Sequence, residues 1–96
     1  MKLCVIGIDG LFADFLRAFC SELPHLRNLK EKGFSAILRS TTPPYTPQAW
    51  TTMFTGVNPA RHGICGFLLE EKGKKRPVHR RDIKVPTLMD YLSRAE

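Results

Sequence analysis

Asp9 is the first residue of this sequence whose position favours chemistry. It directly follows an apolar run at residues 3–8, which has the length and β-branched content of a buried strand. In an open α/β sheet, ligands gather beyond the carboxyl ends of the strands, so a carboxylate there is well placed to bind a divalent metal. The alternative is that Asp9 and Gly10 only make a turn, with Asp9 capping the next helix. Spacing alone leaves both interpretations open.

Thr46 is the second such residue, at the end of a loop rich in threonine and proline. The loop follows another strand-like run at residues 35–40. If both runs are parallel strands of one βαβ unit, Asp9 and Thr46 emerge at the same edge of the sheet. Pro47 suits the first position of a helix, which makes Thr46 the predicted N-cap.

A hydroxyl at that place could act as a nucleophile. The unpaired N–H groups of a helix N-terminus favour a phosphate or an alkoxide, and a bound metal would activate the hydroxyl further. The local alternative is a threonine that only caps the helix, which is common. Other threonines are weaker candidates: Thr41 and Thr42 lack a helix N-terminus, and Thr51 and Thr52 lie within the predicted helix.

The remaining polar candidates favour structural roles. His62 has no second histidine or cysteine at metal-ligand spacing, so packing or a turn is the preferred interpretation. The formal net charge is +6, and much of it lies in a basic run at residues 72–84: Lys72, Lys74, Lys75, Arg76, Arg80, Arg81 and Lys84. This run contains no aromatic residue for stacking on bases, so the pattern favours a solvated hairpin over nucleic-acid binding.

The elements that must position these residues read as β-α-α-β-α-hairpin-α. The first helix presents Phe12, Phe15 and Phe19 on one face. Pro24 begins the second and Gly33 ends it. The third follows Pro47 and stops near Val57, a hairpin or an irregular excursion falls within residues 67–78, and Pro86 and Thr87 open the last helix. This order predicts an α/β fold: the N-terminal part of a doubly wound parallel sheet, in a single partial domain over residues 1–96.

The cysteines and the N-terminal sequence indicate in which cellular compartment the protein is expected. Three cysteines without regular spacing do not make a disulfide framework, and Cys4 and Cys20 are predicted to be buried, reduced thiols. Asp9 interrupts the N-terminal apolar run, so no signal peptide is predicted, and no segment approaches a membrane span. A cytoplasmic protein with no membrane partner is expected.

Three motifs together resemble a known family. They are VIGIDG at residues 5–10, TPQAWTTMFTG at residues 46–56 and NPARHGI at residues 58–64. In this order and spacing they are similar to the type I phosphodiesterase/nucleotide pyrophosphatase family of the alkaline phosphatase superfamily. The resemblance covers nearly the whole chain and implies an alkaline-phosphatase-like fold and a metal-dependent phosphoric ester hydrolase with a phosphate-ester small molecule as substrate.

The resemblance also implies residue roles. Asp9 would bind one of two Zn²⁺ ions, and Thr46 would bridge the pair as the nucleophile that forms a phospho-threonine. Gln48 falls near a family position that holds a phosphoryl oxygen, so it is a candidate substrate-binding residue. The family's other metal ligands lie further downstream than residue 96. We therefore expect an inactive or nearly inactive fragment, completed by a downstream half or a partner subunit. The alternative is a non-catalytic binding or assembly module with a basic, anion-binding face.

Overall fold

The computed structural model describes residues 3–95, which separate after Leu38 into two compact units. The first unit holds two helices, and the second holds three further helices, a hairpin and a short 3₁₀ turn. Within the described residues, no helix has both the length and the apolar character needed to cross a membrane.

The first unit is built on helices α1 (Ala13–Ala18) and α2 (Pro24–Lys32). Phe15 and Phe19 contact each other along one face, with ring centroids 4.6 Å apart. Helix α2 begins with Pro24, as predicted, and ends at Gly33. A Cβ at Gly33 would stand 2.8 Å from the carbonyl oxygen of Leu29, so close backbone approach explains the glycine.

The two predicted parallel strands are not confirmed. Residues 3–8 and 35–40 have no regular secondary structure in the described chain. Their apolar side chains are exposed, with Ile6 77% and Ile37 80% accessible. A strand of a parallel sheet is buried on both faces and bonded to neighbours, so apolar composition alone does not make one. The pairing among the described residues is antiparallel, which supports mixed α and β character without the doubly wound sheet.

The second unit is organised around helix α3 (Thr46–Thr55), which contacts helix α4 (Pro59–His62) and helix α5 (Leu88–Arg94). Gly56 ends α3 in the left-handed conformation with φ +70°, close to the predicted stop. The buried residues here are few and mostly polar: Gln48, His62, Ile64 and Thr87.

The predicted hairpin is confirmed as strands β1 (Leu68–Glu71) and β2 (Lys74–Pro77), paired antiparallel with Leu68 opposite Pro77. Lys72 and Gly73 make the two-residue turn, both with positive φ, as the turns that match strand twist require. A 3₁₀ turn, Arg80–Asp82, follows β2.

One arginine of the basic run is held by an ion-pair network rather than solvated. Arg76 donates from Nη1 and Nη2 to the two carboxylate oxygens of Asp82, at 2.8 and 2.7 Å, and from Nε to Glu71. These bonds from Arg76, together with the backbone N–H of His79, hold the pKa of Asp82 well below its ordinary value. The network ties the hairpin to the 3₁₀ turn behind it.

The last helix begins as predicted. The Thr87 hydroxyl caps α5 by accepting from the Asp90 backbone N–H, and the Asp90 carboxylate accepts from the Thr87 N–H at 2.8 Å. These bonds from Thr87, with the charge of Arg80, lower the pKa of Asp90.

The prediction that Cys4 and Cys20 are buried thiols is wrong for Cys4, which is exposed because no other residue of the described chain covers residues 3–8. Cys20 is half-buried.

Candidate active site

Helix α3 begins one residue earlier than predicted, so Thr46 lies inside the helix and not at the N-cap. It is the first helical residue, and Tyr45 is the N-cap, without a side-chain capping bond. Within residues 3–95 the Thr46 hydroxyl makes no hydrogen bond, and the residue is partly exposed. Its hydroxyl is therefore not used as a cap, and its predicted role as a nucleophile stays a prediction.

The backbone N–H groups around Thr46 are those of a helix start. The Ala49 N–H is the first to bond back within the helix, to the Tyr45 carbonyl at 3.0 Å. Pro47 has no N–H, so the N–H groups of Thr46 and Gln48 precede the first intrahelical bond. They lie at the positive end of the helix dipole, where an anion is favoured.

Gln48 ties this helix start to the preceding loop. Its side chain is 1% exposed, and Nε2 donates to the Pro43 carbonyl at 2.6 Å. Thr41 donates from its hydroxyl to the same carbonyl at 3.0 Å, and the Thr42–Pro43 peptide bond is cis. The buried Oε1 of Gln48 has no hydrogen-bond partner in the described chain. The structure thus gives Gln48 a contact with the loop, while its predicted contact with substrate stays a prediction.

The His62 side chain, on helix α4, forms a hydrogen bond to helix α3. The ring is fully buried, and Nδ1 accepts the Ile64 backbone N–H at 3.1 Å. The neutral ring therefore carries its hydrogen on Nε2, which donates to the Thr52 hydroxyl at 3.0 Å. Burial disfavours the imidazolium and lowers the pKa of His62, which a hydrogen bond to the Gln48 backbone partly offsets. The packing role predicted for His62 agrees with this geometry.

A cleft of about 410 Å³ opens beside Thr46. One wall is the first two turns of α3, with Thr46, Pro47, Trp50 and Thr51. The opposite wall comes from the chain after the hairpin, with Val78, His79, Arg80 and Ile83. Apart from Arg80 and a few polar groups the lining is apolar, so the cleft suits a small organic molecule that carries a negative charge.

Asp9 belongs to the first unit, whereas Thr46 belongs to the second. Asp9 is exposed, follows the irregular residues 3–8, and precedes a turn in which Gly10 has φ +70°. Thr46 and Gln48 share the first turn of α3 in the second unit. The convergence of Asp9 with Thr46 on one sheet edge was deduced from two parallel strands, and it stays a prediction.

The number of neighbouring His, Cys, Asp and Glu side chains decides whether these residues could hold a metal ion. A zinc site in a protein takes three or four side-chain ligands. In the described part of the chain, no three His, Cys, Asp or Glu side chains come together in a group that could hold a metal ion. The described residues therefore do not fit a complete metal centre.

Sequence reasoning missed the second wall of the cleft. Arg80 was predicted only as part of the basic run. No local signal could have paired Arg80 with Thr46, because the hairpin and the 3₁₀ turn bring Arg80 back to α3 through tertiary structure.

Comparison with protein-family models identifies the family. The family model described as type I phosphodiesterase / nucleotide pyrophosphatase matches residues 3–91. Searches of curated proteins and of solved structures found no significant match.

Proposed function

Because the chain belongs to the type I phosphodiesterase/nucleotide pyrophosphatase family, we propose that it carries the nucleophile of a metal-dependent phosphoric ester hydrolase, and that Thr46 is this nucleophile. The observation that carries the proposal is the Thr46 hydroxyl itself: partly exposed, without a hydrogen bond in residues 3–95, and set at a helix N-terminus beside a cleft.

The chemistry assigned to Thr46 is a double displacement. Its Oγ forms a bond to phosphorus while the bond from phosphorus to the ester oxygen breaks, and the hydroxyl proton ends on the departing alcohol. Water then displaces the Thr46 oxygen from phosphorus and restores the hydroxyl. The N–H groups of Thr46 and Gln48 favour the negative charge that gathers on the phosphoryl oxygens. Gln48 would act here by fixing the loop before Thr46, or by contacting the phosphoryl group directly.

We propose that residues of this chain supply only some of the ligands of the metal centre. Asp9 and Thr46 would supply two of the ligands for a pair of divalent ions, for which Zn²⁺ is the family expectation, and a downstream segment or partner subunit would supply the others. Bound metal would lower the pKa of the threonine hydroxyl and neutralise phosphoryl charge. In the complete protein, residues 3–8 and 35–40 would pair with further strands of a parallel sheet, which would cover their exposed apolar side chains. The cytoplasmic location also stays a prediction.

The proposal is tested by trapping the covalent intermediate. The complete protein that contains this chain is mixed with an aryl phosphodiester and quenched in acid during turnover. Peptide mass spectrometry is expected to find phosphate on Thr46 and not on Thr41 or Thr42. Phosphate on another residue, or turnover with no phosphorylated peptide at any quench time, would argue against Thr46 as the nucleophile.

Asp9 has its own test. Asp9→Asn in the complete protein should weaken Zn²⁺ binding by about tenfold or more, because an amide oxygen is a poorer, uncharged ligand. Calorimetric titration measures the affinity directly. Asp14→Asn is the matched control, since Asp14 is an exposed carboxylate of the same unit that pairs with Arg17. Equal Zn²⁺ affinity in both variants would remove Asp9 from the ligand set.

A non-catalytic, anion-binding module is the second candidate. Five cations of the basic run have no ion pair within the described residues: Lys72, Lys74, Lys75, Arg81 and Lys84. This charge favours acidic partners through long-range attraction. The module is favoured if the complete protein forms no phospho-threonine and binds no Zn²⁺, yet binds a polyanion with an affinity that falls steeply as salt is added.

A further inference from the structure

Arg80 is the cation of the cleft beside Thr46. Its side chain is 72% exposed, and Nη2 donates to the Asp90 carboxylate. The other guanidinium donors have no acceptor within residues 3–95. An exposed ion pair of this kind is weak and competes poorly with a better anion. The planar donor fork of arginine matches the spacing of phosphoryl oxygens, so the Arg80 guanidinium can form hydrogen bonds to a phosphate group from its present position.

Trp50 supplies an aromatic surface in the same cleft. Its ring stacks on that of Phe54, one helical turn further along α3, with centroids 5.7 Å apart and planes at 24°. The stacking fixes the ring against its own helix. Ile64, which is buried, and Val78 continue the apolar lining. A flat apolar group would bury its surface here and would have few polar groups to satisfy.

The cleft therefore combines one cation with an apolar lining and a nucleophile candidate. Its volume of about 410 Å³ lies within the range of small-molecule sites, roughly 300–1,000 Å³. We propose that this cleft binds the phosphoric ester on which Thr46 acts, with Arg80 pairing with the phosphoryl oxygens and Trp50 packing against an apolar, ring-sized organic group. The inference rests on the proposed function for the reacting group, and it adds a substrate class and two specificity-determining residues.

Trp50 also provides the measurement, because it is the only tryptophan of the chain. Its fluorescence in the 96-residue protein is followed while phenyl phosphate, phenol or inorganic phosphate is added. Phenyl phosphate is expected to bind at least about tenfold more tightly than either fragment, because it alone engages both Arg80 and the apolar lining. Inorganic phosphate binding as tightly as phenyl phosphate would overturn the assignment of an apolar organic group.

Arg80→Gln and Arg81→Gln are matched variants that remove the same charge from adjacent, exposed residues, of which only Arg80 lines the cleft. Arg80→Gln should weaken phenyl phosphate by about tenfold and leave phenol unchanged, since a bond from arginine to an anion is lost. Arg81→Gln should change neither affinity by more than about twofold. Equal weakening by both variants, or no change in Arg80→Gln, would overturn the role of Arg80.

The same titration on Thr46→Ala separates this inference from the proposed function. Binding should persist within about threefold, because the nucleophile is not the main contact of the bound ester. Persistent binding with no phospho-threonine in the trapping experiment would refute the nucleophile and leave the ester-binding cleft standing. Absence of any phenyl phosphate binding, by fluorescence and by calorimetry, would overturn the cleft while the trapping result still decides the nucleophile.

Discussion

Replacing Thr46 by alanine is expected to reduce hydrolysis of an aryl phosphodiester by the complete protein by at least about a thousandfold. The reason is that the covalent route disappears with the nucleophile, while binding and electrostatic stabilisation remain. The effect should appear in kcat with little change in KM, because Thr46 contributes to bond formation rather than to holding the ester. Initial rates over a range of substrate concentrations measure both constants.

Two further variants make this result specific. Thr46→Ser keeps a hydroxyl on the same first turn of α3 and should retain activity within about tenfold. Thr51→Ala removes a hydroxyl from the same cleft wall, where it only donates to the Pro47 carbonyl at 2.6 Å, and should also retain activity. Full activity in Thr46→Ala, or equal losses in Thr46→Ala and Thr51→Ala, would show that the hydroxyl of Thr46 is not the attacking group.

Replacing His62 by alanine should give the largest loss of stability in the second unit, about 3 kcal/mol. The change empties a fully buried site and leaves the Ile64 N–H without its acceptor and the Thr52 hydroxyl without its donor. Denaturant unfolding followed by Trp50 fluorescence reports on this unit, since the sole tryptophan lies in α3. His25→Ala, an exposed histidine on α2, is the control and should change the free energy of unfolding by less than about 0.5 kcal/mol.

The same histidine predicts the pH dependence of stability. The pKa of His62 is lowered from 6.5 in the folded protein, so below that value the unfolded chain binds a proton that the folded chain resists. Stability from this group is complete above pH 6.5 and is lost as the pH falls towards the folded pKa. The free energy of unfolding should therefore rise with pH in the range just below 6.5, and this slope should shrink in His62→Ala. A wild-type slope that persists unchanged in His62→Ala would assign the effect to another group.

Local features of the second unit were predictable because each depends on neighbours in the chain. Thr87 and Asp90 form a capping box three residues apart, and the turn at Lys72 and Gly73 needs only a residue pair that accepts positive φ. Gly56 ends α3 for the same kind of reason. The position of Thr46 was predicted to within one residue, which is the usual precision at a helix end.

The predicted strands at residues 3–8 and 35–40 could not be settled from local sequence. Residues 3–8 have the composition of a buried strand, but a strand exists only with a bonded partner, and composition does not supply one. The family resemblance predicts a phosphoryl contact for Gln48, and this stays a prediction. Its burial and its bond to Pro43 depend on how the loop folds back on the helix.

The sequence by itself determined the family, through three ordered motifs, and the helix start that bears Thr46. It also determined the hairpin and the capped last helix, because propensity, turn chemistry and capping act over a few residues. Only the tertiary structure decided that the Thr46 hydroxyl is not a cap, that His62 is buried against α3, and that Arg80 lines one cleft with the α3 residues Thr46 and Trp50. These relations join residues distant in the chain, and packing, which brings them together, leaves no trace in local spacing.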